Sequence, residues 1–351
     1  KRAVSLLLSS TMVLGMLVMG SSAQSFTDAE DISNVEAVTI VDGLDVMNGY
    51  PDGSFKPEGI VTRAEMAVVI SKMLYGPEFN PANFEGAGTF TDTPDWAEGY
   101  INLCASLDII AGRGNGIFDP NATVTTSEAA AMFLRTLGYL QTSEEFGTDW
   151  QLAVTSKATN LGLYGDLKLS INEGLSRENV AEMAFNTLFA QRVAYDDYRG
   201  LYVKANDRNV VVTNGTEDEN NTLAQNTFGL YVAEGVVTAN GQTDKKLSAS
   251  LKSEAQTEVM FTEDTDLNKD GKAEYEEGDT YDFEVETGLD MIGHAASVYY
   301  KMENKSPVVY AIVDDATLVS YVDYNSNTTK LAEAANDAGF KKNSILDVAT
   351  K

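Results

Sequence analysis

Two stretches of this chain carry residue types at spacings that could do chemistry. The first is Thr62-Arg63-Ala64-Glu65, which recurs in degraded form as Thr125-Thr126-Ser127-Glu128 and as Ser176-Arg177-Glu178-Asn179. Thr62 and Glu65 stand three apart, the spacing of a capping box, in which the threonine hydroxyl serves the N–H of Glu65 and the glutamate returns to the N–H of Thr62. Capping does not explain Arg63, because a cation in the first helical turn opposes the macrodipole by roughly 0.3–1 kcal/mol. A locally unfavourable charge that reappears as Arg177 points to a ligand, and to an anionic one, since unpaired N–H groups at a helix start attract anions.

The second stretch is Asp266-Leu267-Asn268-Lys269-Asp270-Gly271-Lys272-Ala273-Glu274-Tyr275-Glu276-Glu277. It satisfies the pattern of a calcium loop: oxygen ligands from Asp266, Asn268, Asp270 and Glu274, a backbone carbonyl at Lys272, a bidentate carboxylate at Glu277, and Gly271 for the sharp turn. Calcium is the one cofactor the sequence suggests. The flanks read as strands rather than helices, so a solvated acidic hairpin loop is the competing reading.

The remaining composition excludes much. One cysteine and one histidine leave no disulfide framework and make a histidine-based metal or catalytic site improbable. Cys104 is expected to be a buried apolar residue on a helical face with Trp96, Tyr100 and Leu107. The net charge of −28 argues against nucleic acid as a partner. An anionic polymer must therefore be held by local donors against the long-range field. Lys1-Arg2, the apolar run from Ala3 to Gly20 and the exit Ser21-Ser22-Ala23 predict a secretory leader over 1–23, with no transmembrane span once it is removed.

The elements that must position the first motif are repeated. Met66, Val69, Ile70, Met73 and Leu74 recur with the period of an amphipathic helix after the cap. Copy one opens with Phe26-Thr27-Asp28, passes through an apolar-periodic segment, turns at Gly49-Tyr50-Pro51-Asp52-Gly53 and continues Phe55-Lys56-Pro57. Copy two follows with Phe90-Thr91-Asp92, Trp96, Gly112, Gly116 and Phe118-Asp119-Pro120. Copy three keeps Asp149-Trp150, Leu161 and Gly165 but lacks the Asp-Gly turn and the Phe-x-Pro, and Asn179 breaks its capping box. Each unit reads as helix, tight turn, short extended piece, capped helix. After Tyr195 the texture becomes strand-like, at Leu201–Val203, Val210–Val212, Leu230–Val237, Tyr281–Val285, Ser297–Tyr300 and Val308–Val313, with a short helix at Lys330–Ala338. Asn206–Thr227 reads as a linker or irregular hairpin.

The pattern F-x-D…W…G…G-x-x-D-G-x-F-x-P…T-R-A-E resembles the S-layer homology domain over about residues 26–192. That resemblance implies an all-α, three-pronged module of pseudo-threefold form, which binds a secondary cell-wall polymer, often pyruvylated, in grooves between prongs. It places Arg63, with Thr62, Glu65, Asp52 and Gly53, and Arg177 at the polymer site. Copy two departs from it, because Thr126 replaces the arginine.

The expected organisation is multidomain: a leader at 1–23, repeats at 24–82, 83–142 and 143–195, and a mainly-β module at 196–351. The expected protein is secreted, held at the cell wall by an anionic secondary polysaccharide or peptidoglycan, non-catalytic, with a surface-layer role and lateral self-association. Two alternatives stand beside it. One is a wall-anchored exo-enzyme whose catalytic domain lies beyond Lys351; the other is an outer-membrane tether binding modified peptidoglycan.

Overall fold

The computed structural model describes residues 17–19, 26–86, 88, 90–140, 143–196, 201–204, 221–241, 256–268, 272–288 and 291–318. The expected strand at Val210–Val212, the helix at Lys330–Ala338, and Asp270 with Gly271 of the acidic loop lie outside these residues, as does most of the expected leader. The chain divides into two units: one is Ser22–Leu230, and the other comprises Tyr231–Lys351 together with Lys1–Ser21. The sheet unit begins at Tyr231, while the first strands after the helices, Val193–Asp196 and Leu201–Lys204, stand where the change of texture at Tyr195 is expected.

The first unit contains six longer helices: α1 (Val35–Gly43), α2 (Arg63–Tyr75), α3 (Glu98–Ser106), α4 (Thr126–Thr136), α5 (Trp150–Asn160) and α6 (Arg177–Phe189). A hairpin follows, formed by strands Val193–Asp196 and Leu201–Lys204, and then a short helix Leu223–Phe228, which begins within the stretch Asn206–Thr227 expected to be a linker or irregular hairpin. Thr222 caps the start of that helix, and Gly229, at φ 61°, stops it.

The helices pack across copies. α2 lies against α3, α4 against α5, and α6 against α1, so each capped helix pairs with the first helix of the following segment and the last pairs with the first. Backbone bonds follow the same cycle. Arg63 and Ala64 donate their N–H groups to the carbonyls of Ala122 and Pro120, Thr126 and Ser127 to those of Glu173 and Ile171, and Arg177 and Glu178 to those of Gly59 and Pro57. The N–H groups expected to be available to an anion at the start of α2 are therefore already used. They satisfy part of what every helix start leaves open.

The capping boxes form as the spacing predicts in α2 and α4. In α6 the Ser176 hydroxyl still accepts from Asn179 N–H, and the helix is as long as α2, 13 residues. Glu178 is 6% exposed and reaches across to accept from the backbone N–H groups of Ser33 and Asn34 at the start of α1. The loss of the reciprocal glutamate at 179 therefore leaves α6 intact, because its start is tied into the first segment. Cys104 is buried as expected, bonded to Ser71 and the carbonyl of Ala67, and burial pushes its thiol up to about 12. Its expected companions differ: α3 begins only at Glu98, so Trp96 lies outside it, and both Trp96 and Leu107 are exposed.

The Phe-x-Asp openings act as clamps. Asp28 accepts from the N–H groups of Phe55 and Lys56, and Asp92 from those of Phe118 and Asp119, all at 2.8 Å. Burial opposes the charge of both carboxylates, but the amide donors outweigh it and hold both below the ordinary value of 3.8. A folded value below the unfolded one adds stability that is present above the unfolded value and lost as pH falls through the folded one. Melting temperature is expected to drop as pH is lowered beneath 3.8, and the Asp28→Asn, Asp92→Asn double variant is expected to lose less over that interval. An unchanged slope in the double variant contradicts the clamp.

The second unit is an antiparallel sheet. Numbering all strands in chain order, β1 is Leu17–Met19, β2 and β3 are the hairpin strands above, and then come β4 (Leu230–Asn240), β5 (Thr257–Phe261), β6 (Thr280–Phe283), β7 (His294–Glu303) and β8 (Ser306–Leu318). Their order in the sheet is β1-β8-β7-β4-β5-β6. Alternation in β4 to β8 places Val237, Val259, Phe261, Phe283, Val298, Tyr300 and Ile312 in one core with Leu267 and Met291. Leu17–Met19, within the expected leader, pairs with Ala311–Val313 of β8. No helix among the described residues is long and apolar enough to cross a membrane.

Candidate functional site

Arg63 occupies the first position of α2 yet points away from it, into the turn of copy two. Its Nε donates to the carbonyl of Phe118 at 3.1 Å and its Nη2 to that of Ala111 at 2.7 Å, and the guanidinium lies 4.6 Å from the Phe118 ring. The residue is 6% exposed. Burial, followed by the charge of Arg113, lowers its pKa. Arg177 does the same to copy one, with Nε on the Phe55 carbonyl and Nη2 on the Asn48 carbonyl, both at 2.7 Å, and with its cation over Tyr50 and Phe55. The repeated arginine is thus the plug of one repeat in the turn of the next. The macrodipole cost at the helix start is offset by charge-assisted bonds to carbonyls of the neighbouring turn, one in each case from a buried phenylalanine, Phe118 or Phe55.

This explains two departures that look independent in the sequence. Thr126, which replaces the arginine of copy two, faces copy three, where its hydroxyl meets the Glu173 carbonyl at 3.2 Å. Copy three is the one that lacks the Phe-x-Pro turn. The missing arginine and the missing turn are the two halves of one contact. It also means that Arg63, not Thr126, belongs to the groove of copy two.

That groove has a volume of about 240 Å³. Its charged lining is Arg63, Arg113, Arg135 and Glu128, and Phe146 and Trp150 close its aromatic side. Glu128 Oε1 lies 2.7 Å from Arg113 and 3.5 Å from Arg63, while Glu128 Oε2 takes the cap bonds of Thr125. Arg135 donates to the Ile109 carbonyl at 3.3 Å and stands over the Phe146 ring. Trp150, the first residue of α5, is 41% exposed. Glu128 is the carboxylate within ion-pair distance of Arg63 and Arg113, and Asp92, Asp108 and Asp119 add their charge from further off; the guanidinium groups beside an accessible indole could take an anionic group that also carries an apolar face. The sequence pointed to Arg63 but not to Arg113, Arg135, Phe146 or Trp150. The available signal was Arg113 itself, which stands where copy one has Tyr50: both donate backbone N–H at 2.7 Å across their turn, Tyr50 to Ser54 and Arg113 to Ile117.

The other expected contacts are placed as follows. Thr62 and Glu65 bond each other at the start of α2. Asp52 accepts from the hydroxyl and N–H of Ser54 and pairs with Lys56 at 3.2 Å, and these bonds, the Ser54 hydroxyl foremost, hold its carboxyl down to about 2. Gly53, at φ 81°, gives its carbonyl to Thr27 N–H. Asp52 and Gly53 shape the turn of copy one, Thr62 and Glu65 the start of α2, and the lining of the groove that holds Arg63 is made by other residues.

In the acidic loop, Thr265 and Tyr275 form an antiparallel bridge that closes the chain, and Leu267 anchors it in the sheet core. Glu274 Oε2 accepts from the N–H groups of Leu267 and Asn268, and Glu277 N–H donates to Asp264. Among the described residues no group of three metal-ligating side chains is assembled, with Asp270 outside them. The expected result of a calcium titration, if the loop takes the ion, is a rise in melting temperature set by RT ln(1 + [Ca]/Kd) and abolished in Asp266→Ala, Glu277→Ala. A flat titration in the unmutated protein removes calcium from the account.

Comparison with known proteins agrees with the repeat pattern. The S-layer homology domain family matches residues 25–67 and 89–130. A cell surface protein of Thermoanaerobacter kivui is 27% identical over 97% of this chain and 43% of its own length. A cellulosome-anchoring protein of Acetivibrio thermocellus is 38% identical over 29% of the chain and 23% of its own length. An endoglucanase of a Bacillus strain is 30% identical over 40% of the chain and 16% of its own length. The chain spans less than half the length of each of these relatives. Two segments of the chain match the S-layer homology domain, and this match, with the surface proteins the chain is similar to, supports a cell-surface, cell-wall-associated localisation.

Proposed function

We propose that residues 26–192 form a three-pronged, pseudo-threefold anchor of three repeats, which holds the protein at the wall by binding an anionic secondary polysaccharide. Support for the third repeat comes from Arg177 and Glu178, whose bonds to copy one reproduce those of Arg63 and Ala64 to copy two. The observation that carries the binding reading is the groove of copy two, which gathers Arg63, Arg113 and Arg135 around Glu128 in a chain of net charge −28. The long-range field of so acidic a chain repels an anionic polymer, so a local cluster of cations such as this one is what would hold it. Trp150 supplies the apolar platform for a sugar. The sheet unit is then displayed outward without catalytic duty, as a surface-layer component able to associate laterally.

Retention of the full chain on purified wall sacculi tests this. Binding is expected to be lost when the secondary polymer is stripped from the sacculi. Equal retention before and after stripping contradicts the reading and favours peptidoglycan itself as the partner. Glucan hydrolysis by the same preparation would favour the enzymatic alternative that the endoglucanase relative represents.

A further inference from the structure

We propose that Glu128 is a built-in competitor for the groove of copy two, and that an anionic ligand binds by displacing it from Arg113. This rests on the groove being an anion site. The two oxygens of Glu128 have separate duties. Oε2 is committed to the start of α4, where it accepts from Thr125 N–H at 3.1 Å and from the Thr125 hydroxyl at 3.2 Å. Oε1 faces the groove and holds Arg113 Nη1 at 2.7 Å and Arg63 Nη1 at 3.5 Å.

The three cations differ in their freedom to leave their partners. Arg63 is fixed by two backbone carbonyls, and Arg135 by the Ile109 carbonyl and the Phe146 ring. Arg113 stands on a tight turn beside Gly114, at φ 96°, and its side chain is 47% exposed. Its pair with Glu128 is therefore the one that water already screens and that costs least to exchange. A carboxylate or phosphate on a sugar, carrying the same charge as Oε1, takes over Arg113 in a swap of one ion pair for another. Glu128 stays behind, held by its cap bonds, and its charge opposes the newcomer. The capping carboxylate thus lowers the affinity of the groove for every anion that enters it. Copy one has Tyr50 at the position of Arg113, so the swap is specific to copy two.

Glu128→Gln tests the idea, because glutamine also serves as the third residue of a capping box. Titrate the full chain calorimetrically with two probes, inorganic phosphate and a methyl hexoside bearing a pyruvate ketal, at fixed salt. Both probes are expected to bind the variant about two- to fivefold more tightly than the unmutated protein, the size of a screened ion pair. Unchanged or weaker binding at an unchanged melting temperature overturns the proposal. Should the variant melt early, the Arg113 Nε–H resonance of the unmutated protein takes its place: it is expected to shift at saturation with either probe, and a stationary resonance overturns the swap. Arg113→Ala separates the two levels of the argument. If it binds both probes like the unmutated protein, the groove reading itself fails. If it loses binding while Glu128→Gln changes nothing, only the competition fails.

Discussion

Arg63→Ala is expected to destabilise the helical unit by about 3 kcal/mol, the cost of removing one partner from a buried charged contact and leaving the others in place. Three groups lose Arg63: the carbonyls of Phe118 and Ala111, and Glu128, which keeps Arg113 and its cap bonds from Thr125. For a domain of roughly 200 residues that corresponds to a fall in melting temperature of roughly 6–12 °C. Arg63→Lys is expected to recover little, because a single ammonium cannot reach two carbonyls from one fork. Differential scanning calorimetry of the three proteins decides it. A melting temperature unchanged or raised in Arg63→Ala would return the residue to a loose decoration of the helix start, which is what the macrodipole alone predicts.

Arg113→Ala is expected to behave in the opposite way. Its exposed pair with Glu128 contributes little to folding, within about 1 kcal/mol. Its bond to a bound anion is charge-assisted and contributes about 1.5–3 kcal/mol, so affinity for the polymer is expected to fall roughly 10- to 150-fold with the fold intact. Surface plasmon resonance on immobilised polymer, with circular dichroism as the check on folding, reads both quantities. Loss of helix in Arg113→Ala, or polymer affinity equal to that of the unmutated protein, contradicts its assignment as the contacting cation.

These opposed outcomes mark where the sequence is legible and where it is not. Capping boxes are local, so Thr62 with Glu65 and Thr125 with Glu128 could be read directly, and so could β4 to β8 from their alternation. The destination of Arg63 could not, because its partners lie 48 and 55 residues away in another copy. Periodicity within one repeat carries no register between repeats. The clue that was present was paired loss: no arginine at 126 and no Phe-x-Pro turn in copy three. The helix at Leu223–Phe228 was hidden by its polar surroundings, although Thr222 and Gly229 supply its start and stop. Trp96 shares the helical period of Cys104 in the sequence but not its face in the fold, because the segment becomes helical only at Glu98.

The anchor account holds that one arginine of the repeat builds the groove and another meets the polymer. Its most direct test is a single comparison of Arg63→Ala and Arg113→Ala, each measured for melting temperature and for affinity to purified secondary wall polymer. The account predicts a large drop in melting temperature with Arg63→Ala and a large drop in affinity at unchanged melting temperature with Arg113→Ala. Full affinity in a folded Arg113→Ala protein, whatever Arg63→Ala does, would contradict it.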